Sequence, residues 1–193
     1  MRFWPSLFAG ALALAFGSAA AADDATAIAR LAETDVKHWI GHPTIVDAIR
    51  AQNDRHQHVS PDEIAALDRI WRSETVSVSK PMIQALMANA LSSFLMQKKL
   101  ASKGLYTEIF AMDAHGLNVG QSDPTSDYWQ GDEDKWRKTF LAGPNSMHIG
   151  DAERDKSTRI LQRQLSLPVA DPVSGKVIGA ITVGIDISRL SAQ

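Results

Sequence analysis

The stretch RILQRQLSLPVADPVSGKVIGAITVGIDI, Arg159 to Ile187, decides the fold. Its first half alternates Leu161, Leu165, Leu167 and Val169 with polar neighbours, the period of a strand with two unlike faces. DPVSGK then brings proline, glycine and an aspartate side chain to the place where a turn must fall. The second half alternates again: Val177, Ile181, Val183, Ile185 and Ile187 point one way, and Ile178, Ala180, Thr182, Gly184 and Asp186 the other. Together the halves predict an antiparallel hairpin. Small residues on one face admit something close to the backbone, whether a helix or a ligand, a packed helix being the more frequent reason.

Upstream of this hairpin, YTEIFAMD (Tyr106 to Asp113) has strand composition, and DAHG turns it into LNVGQSD. Another strand is expected over Met147 to Gly150, after a turn at Gly143, Pro144 and Asn145. Everything before Tyr106 reads as helix. Ile28, Leu31, Val36, Trp39 and Ile40 recur at helical spacing from Asp24 to about Asn53, with a break at Gly41, His42 and Pro43. SPDEIAAL starts a further helix, with Ser60 as N-cap, Pro61 at the first position and Glu63 completing a capping box. One helix is expected from Lys80 to about Lys103, stopped by Gly104; its methionines read as core packing rather than a partner groove. Helices first and a sheet of about five antiparallel strands after them make an α+β chain.

The first 22 residues carry one basic residue, Arg2, an apolar run from Leu7 to Phe16, and small residues at Ala20 and Ala22. This is the layout of a cleaved signal peptide, so residues 23–193 are expected to form a single exported, periplasmic domain. The apolar run is shorter than the roughly 20 residues of a membrane span. The chain has no cysteine, which excludes disulfides and thiolate chemistry, and a formal net charge of −2, which gives no footprint for nucleic acid. No GxSxG elbow, HExxH pair, P-loop or dinucleotide glycine pattern occurs, so neither an enzyme nor a bound cofactor is expected. His38 and His42 stand four apart, but the Gly41 and Pro43 break argues against a shared metal face.

The long N-terminal helix, the strand ending in DAHG, the DYWQGDE loop and the closing hairpin resemble the Cache domain, the PAS-like extracellular sensor module also called PDC, in its single-module form. The resemblance implies a long helix packed on one face of an antiparallel sheet, with a small organic ligand between the other face and the loop-helix insert. Such modules are usually joined to membrane helices and a signalling domain. This sequence stops soon after the last strand, so its expected partner is a separate membrane receptor or sensor kinase, with a homodimer through the long helix as a further possibility. DYWQ lacks the upstream arginine of the amino-acid-sensing subgroup, so no ligand identity follows.

In the insert, Asp132, Glu133 and Asp134 read as the start of a short helix running to about Leu141, with Asp132 as N-cap, rather than as a metal site. Tyr128 and Trp129 precede that helix. Each offers an apolar plate with a polar handle, equally suited to a ligand and to plugging the sheet, and the resemblance points to the pocket, with Trp136 beside them. Asp155 is a candidate anchor for an amine or hydroxyl and Arg159 for a carboxylate, although such a charge run is commonly a solvated edge. Asp186 would face the pocket or cap the chain end. The expected function is a periplasmic small-molecule-sensing module. The alternative is a ligand-free, PAS-like interaction or dimerisation protein.

Overall fold

The computed structural model describes residues 23–154 and 159–190. The signal peptide expected over 1–22 and the candidate anchor Asp155 lie outside the described residues.

Helix α1 occupies residues 23–39, with a π turn at Ala32–Val36 before its last α turn, Lys37–Trp39. The predicted break follows, and α2 spans Pro43–Arg55. His42 makes that break a helix start: its Nδ1 accepts the Thr44 N–H at 3.2 Å while its ring stacks on Phe94. The capping box of α3 (Pro61–Thr75) forms as the sequence predicts, with the Ser60 hydroxyl and the Glu63 carboxyl each taking the other's backbone N–H.

The single helix expected from Lys80 to Lys103 is two helices, α4 (Pro81–Met87) and α5 (Ala90–Ala101). Asn89 divides them, because its Oδ1 accepts the Ser92 N–H at 2.7 Å as a new N-cap and its Nδ2 ties the corner to the Val119 carbonyl. The first turn of α4 is closed from outside, by Glu74 of α3 accepting the Met82 and Ile83 N–H groups. The wide apolar face is thereby explained. Ile83, Met82 and Met87 of α4 pack with α3, whereas Leu91, Phe94 and Leu95 of α5 join the main core.

Six antiparallel strands follow among the described residues: β1 (Tyr106–Met112), β2 (Asn118–Gln121), β3 (His148–Ile149), β4 (Glu153–Arg154), β5 (Leu161–Ala170) and β6 (Val177–Asp186). Their order is β2-β1-β6-β5-β3, with the two-residue β4 also on β5. The architecture is α+β, an antiparallel sheet with helices packed on one face. The β5–β6 hairpin runs in register from Gln162 opposite Asp186 to Val169 opposite Gly179. At its turn, Asp171 accepts the Val173 and Ser174 N–H groups and an ion pair from Arg50 of α2 at 2.7 Å. Those contacts, the Ser174 amide first and the Arg50 guanidinium next, hold its carboxyl down at about 2.

One face of the sheet, with Ile109, Ala111, Leu165, Leu167, Ile181, Val183 and Ile185, buries itself against Ile28, Ala32 and Val36 of α1, Ile45 and Ile49 of α2, and Leu91 and Leu95 of α5. Each such side chain contributes about 1.5–3 kcal/mol by leaving water. The helical layer therefore covers the bulky face of β6. The small face, expected to admit a helix or a ligand, looks the other way.

Candidate functional site

That other face is divided along its length. Towards the β1–β2 turn it is plugged: Trp136 packs on Phe110, Met112 and Ala180, stacks on Phe140, and donates its Nε1–H to the Asp113 carbonyl at 3.1 Å. Trp136 rides on α6 (Asp134–Arg137), a single turn rather than the longer helix expected. Its N-cap position is Glu133, not Asp132, and no side chain caps it; Glu133 instead pairs with Lys135, and Asp134 with Lys138.

Towards the other end lies a cleft of about 830 Å³. Its floor is Thr107 and Glu108 of β1 with Gln162 and Gln164 of β5, and its walls come from the insert, the α3–α4 connection and β4. A bulge in β1, where Tyr106 pairs with Ile185 and Glu108 already with Gly184, turns both Thr107 and Glu108 onto this floor. The Gln162 and Gln164 amides each donate to Glu108 Oε1 at 2.9 Å, and the Thr107 hydroxyl donates to Gln162 Oε1. Deeper on the same face, Ser166 and Thr182 share a hydrogen bond of 2.9 Å.

Gly184 lies beneath this network. A Cβ there would stand 2.2 Å from Thr107 Oγ1 and 2.6 Å from Gln162 Oε1, so the floor exists only because β6 carries no side chain at that point. Gly184→Ala is expected to dismantle the floor hydrogen bonds while leaving the helical core intact. The amide proton signals of β5 should shift in a two-dimensional NMR spectrum, with the cooperative unfolding transition retained. Unchanged β5 signals would contradict this account.

The opening of the cleft is shaped by the insert, where Tyr128 and Trp129 are placed differently from the ligand plates expected. Tyr128 is buried with Trp71, Ile83 and Leu117, and stacks on Trp71 at 5.5 Å. Burial, reinforced by the charge of Asp113, raises its phenol pKa above the ordinary value. Trp129 donates its Nε1–H to the His115 carbonyl and packs on the same cluster. Neither side chain lines the cleft. Both backbone N–H groups are accepted by Asp68 Oδ1 of α3, at 2.9 and 3.1 Å, so these aromatics anchor the insert from behind. The neighbours on the chain, Thr125, Asp127, Gln130, Glu133 and Lys135, form the wall.

Of the other candidates, Arg159 is exposed with φ 63°, its carbonyl accepting from Arg154. Asp186 takes the second of its expected roles: Oδ1 accepts the Ser188 N–H and hydroxyl at the start of α7 (Ile187–Leu190). The structure thus brings together Thr107, Glu108, Gln130, Gln162 and Gln164, none of them singled out by the sequence. Among the described residues no group of three or more histidines, aspartates or glutamates could hold a metal ion, and no helix is long and apolar enough to cross a membrane. His56, which does not line the cleft, bonds Asp113 Oδ2 at 2.9 Å.

No protein-family model and no curated protein matches the chain. Among solved structures it is similar to the sensor domain of the Vibrio cholerae histidine kinase DctB, at 14% identity and a TM-score of 0.49 over 93% of this chain and 58% of that one. It is similar also to the ligand-binding domain of the Campylobacter jejuni chemoreceptor Tlp3 in complex with 4-methylisoleucine, at 12% identity and a TM-score of 0.41 over 85% of this chain and 66% of that one. A third is the ligand-binding domain of the Pseudomonas aeruginosa amino acid chemoreceptor PctC in complex with GABA, at 15% identity and a TM-score of 0.41 over 82% of this chain and 67% of that one. The chain spans less than two thirds of the first two. These three are sensor and ligand-binding domains.

Proposed function

We propose that the chain is a small-molecule-sensing module, exported through residues 1–22, that binds a small organic ligand on the free face of its sheet and passes occupancy to a separate membrane receptor or sensor kinase. The observation that carries this reading is the polar cleft of about 830 Å³ on the face opposite the helices, floored by Thr107, Glu108, Gln162 and Gln164. A concave site with a few convergent, hydrogen-bonded polar groups on its floor is the form that small-molecule sites take. Occupancy would act by population shift, the liganded insert and sheet biasing the helical layer on the other side.

The test is a thermal-shift screen of the purified protein against small carboxylates, amines and purines. A true ligand at a hundredfold excess over its Kd is expected to raise Tm by about 5–10 °C, and Gly184→Ala should abolish the rise. If no compound raises Tm and the protein still binds its partner, the ligand-free interaction or dimerisation reading replaces this one.

A further inference from the structure

Another cavity, of about 550 Å³, opens between the end of α2 and α3, and it shares no lining residue with the cleft. Ala66, Leu67 and Ile70 of α3 stand three, four and seven residues after Glu63, so one face of that helix makes one side. Val59 adds to this apolar lining. The remaining lining comes from the last turn of α2 and the connection up to His58. Its charged residues Asp54, Arg55 and Glu63 are exposed, and the Glu63 carboxyl is already taken by the Ser60 N–H and hydroxyl.

His56 is the polar group that the fold orients there. Its Nδ1 lies 2.9 Å from Asp113 Oδ2, and the other partners of that fully buried carboxylate, Gln52 Nε2 and the His115 and Leu117 amides, are all N–H donors. Nδ1 therefore carries the hydrogen and donates it, which fixes the tautomer. The two ring nitrogens diverge, so Nε2 of the neutral ring turns its lone pair away from Asp113. The side chain keeps 19% of its surface and lines the cavity. Satisfying Asp113 accounts for Nδ1 alone. It does not account for an imidazole that shares a cavity with the apolar face of α3.

We infer that this cavity takes a small aromatic hydroxyl compound of the phenol class, with its ring against Ala66, Leu67 and Ile70 and its O–H donated to His56 Nε2. A flat ring with one donor matches an apolar surface with one fixed acceptor. A carboxylate brings no hydrogen to that lone pair, and an ammonium ion would lose hydration against the apolar face. Donation to Nε2 also polarises the Nδ1–H bond to Asp113, so the His115 and Leu117 amides that share this carboxylate report on occupancy.

The test is a two-dimensional NMR titration of the purified protein with phenol, anisole and benzoate. Phenol is expected to bind with a Kd of about 1 mM, shifting the Leu67 and Ile70 amide signals together with those of His115 and Leu117. Anisole, which has the ring without the donor, and benzoate, an anion, should each bind about tenfold more weakly. Ile70 is 48% exposed, so Ile70→Asp should keep the fold while setting a charge against the ring and abolishing binding. His56→Phe removes both ring nitrogens and should weaken phenol about tenfold, leaving anisole unchanged. Should His56→Phe fail to fold, phenol against anisole in the unaltered protein decides. Equal binding of those two would overturn the role of Nε2, and tighter binding of benzoate would overturn the ligand class. Phenol shifts centred on Gln162 and Gln164, or saturable shifts with none of the three compounds, would overturn the site itself.

Discussion

Asp113→Ala is expected to lower Tm by about 10 °C, the largest loss of any single carboxylate in the protein. Asp113 is fully buried, and its two oxygens serve four donors. Oδ1 accepts the His115 and Leu117 N–H groups at 2.8 and 2.9 Å, closing the DAHG turn; Oδ2 accepts Gln52 Nε2 at 3.0 Å and meets His56 Nδ1 at 2.9 Å. The side chain thus ties the β1–β2 hairpin to the end of α2. Its removal strands donors that water reaches poorly, a cost of about 3–5 kcal/mol, and a domain of this size loses about 2–4 °C per kcal/mol. Asp113→Asn should lose less, because one amide oxygen can still close the turn while its NH2 opposes Gln52 and His56. Chemical denaturation of the three proteins measures this, and a loss under 1 kcal/mol for the alanine variant would contradict it.

The second large effect is expected three residues on. Gly116 has φ +81° and its missing Cβ would stand 2.5 Å from Gly131 Cα and 2.6 Å from Gly131 N, backbone against backbone. Its carbonyl accepts the Gln130 N–H at 2.7 Å. Gly116→Ala therefore meets left-handed strain of about 1–2 kcal/mol and must also push the insert away, for a total of about 3 kcal/mol. Gly175, with φ +70° and nothing within 4 Å of its Cβ position, isolates the strain alone; Gly175→Ala should cost about 1 kcal/mol. Equal losses in the two variants would show that the close approach of Gly116 to Gly131 contributes nothing. Because Gln130 moves with the insert, Gly116→Ala is also expected to weaken ligand binding in whatever protein remains folded.

The architecture was legible wherever a local signal had one physical meaning. Ser60, Pro61 and Glu63 could only start a helix, and DPVSG between two alternating segments could only turn a hairpin. Asn89 was missed because an apolar stripe continuing on both sides hides an N-cap. The site was less legible. Aromatics in an insert attract attention, yet Tyr128 and Trp129 anchor the insert from behind, since Asp68 on a distant helix takes their N–H groups. The floor could have been found by counting register from the Asp171 turn: Gln162, Gln164 and Ser166 fall opposite Asp186, Gly184 and Thr182. Polar residues meeting small ones across a ladder mark a face that is neither core nor open water. Gln130 carried no comparable signal, because only the folded positions of Asp127 and Gly116 bury it.

The π turn in α1 has a consequence for how that helix can be read from outside. The Lys37 N–H reaches back to the Ala32 carbonyl, five residues away, so the chain carries one residue more than an α-helical ladder requires. Each α-helical residue turns the axis by about 100°. The segment 23–31 is therefore phased about 100° away from where an uninterrupted helix would set it, and Ile28 on that segment is buried in the main core. α1 is in effect two screws of one pitch set out of phase across the turn that contains Asp35, whose carboxylate takes the Tyr106 hydroxyl at the first residue of the bulged floor strand. The azimuth of everything N-terminal to the turn is thus geared to the strand that carries Thr107 and Glu108.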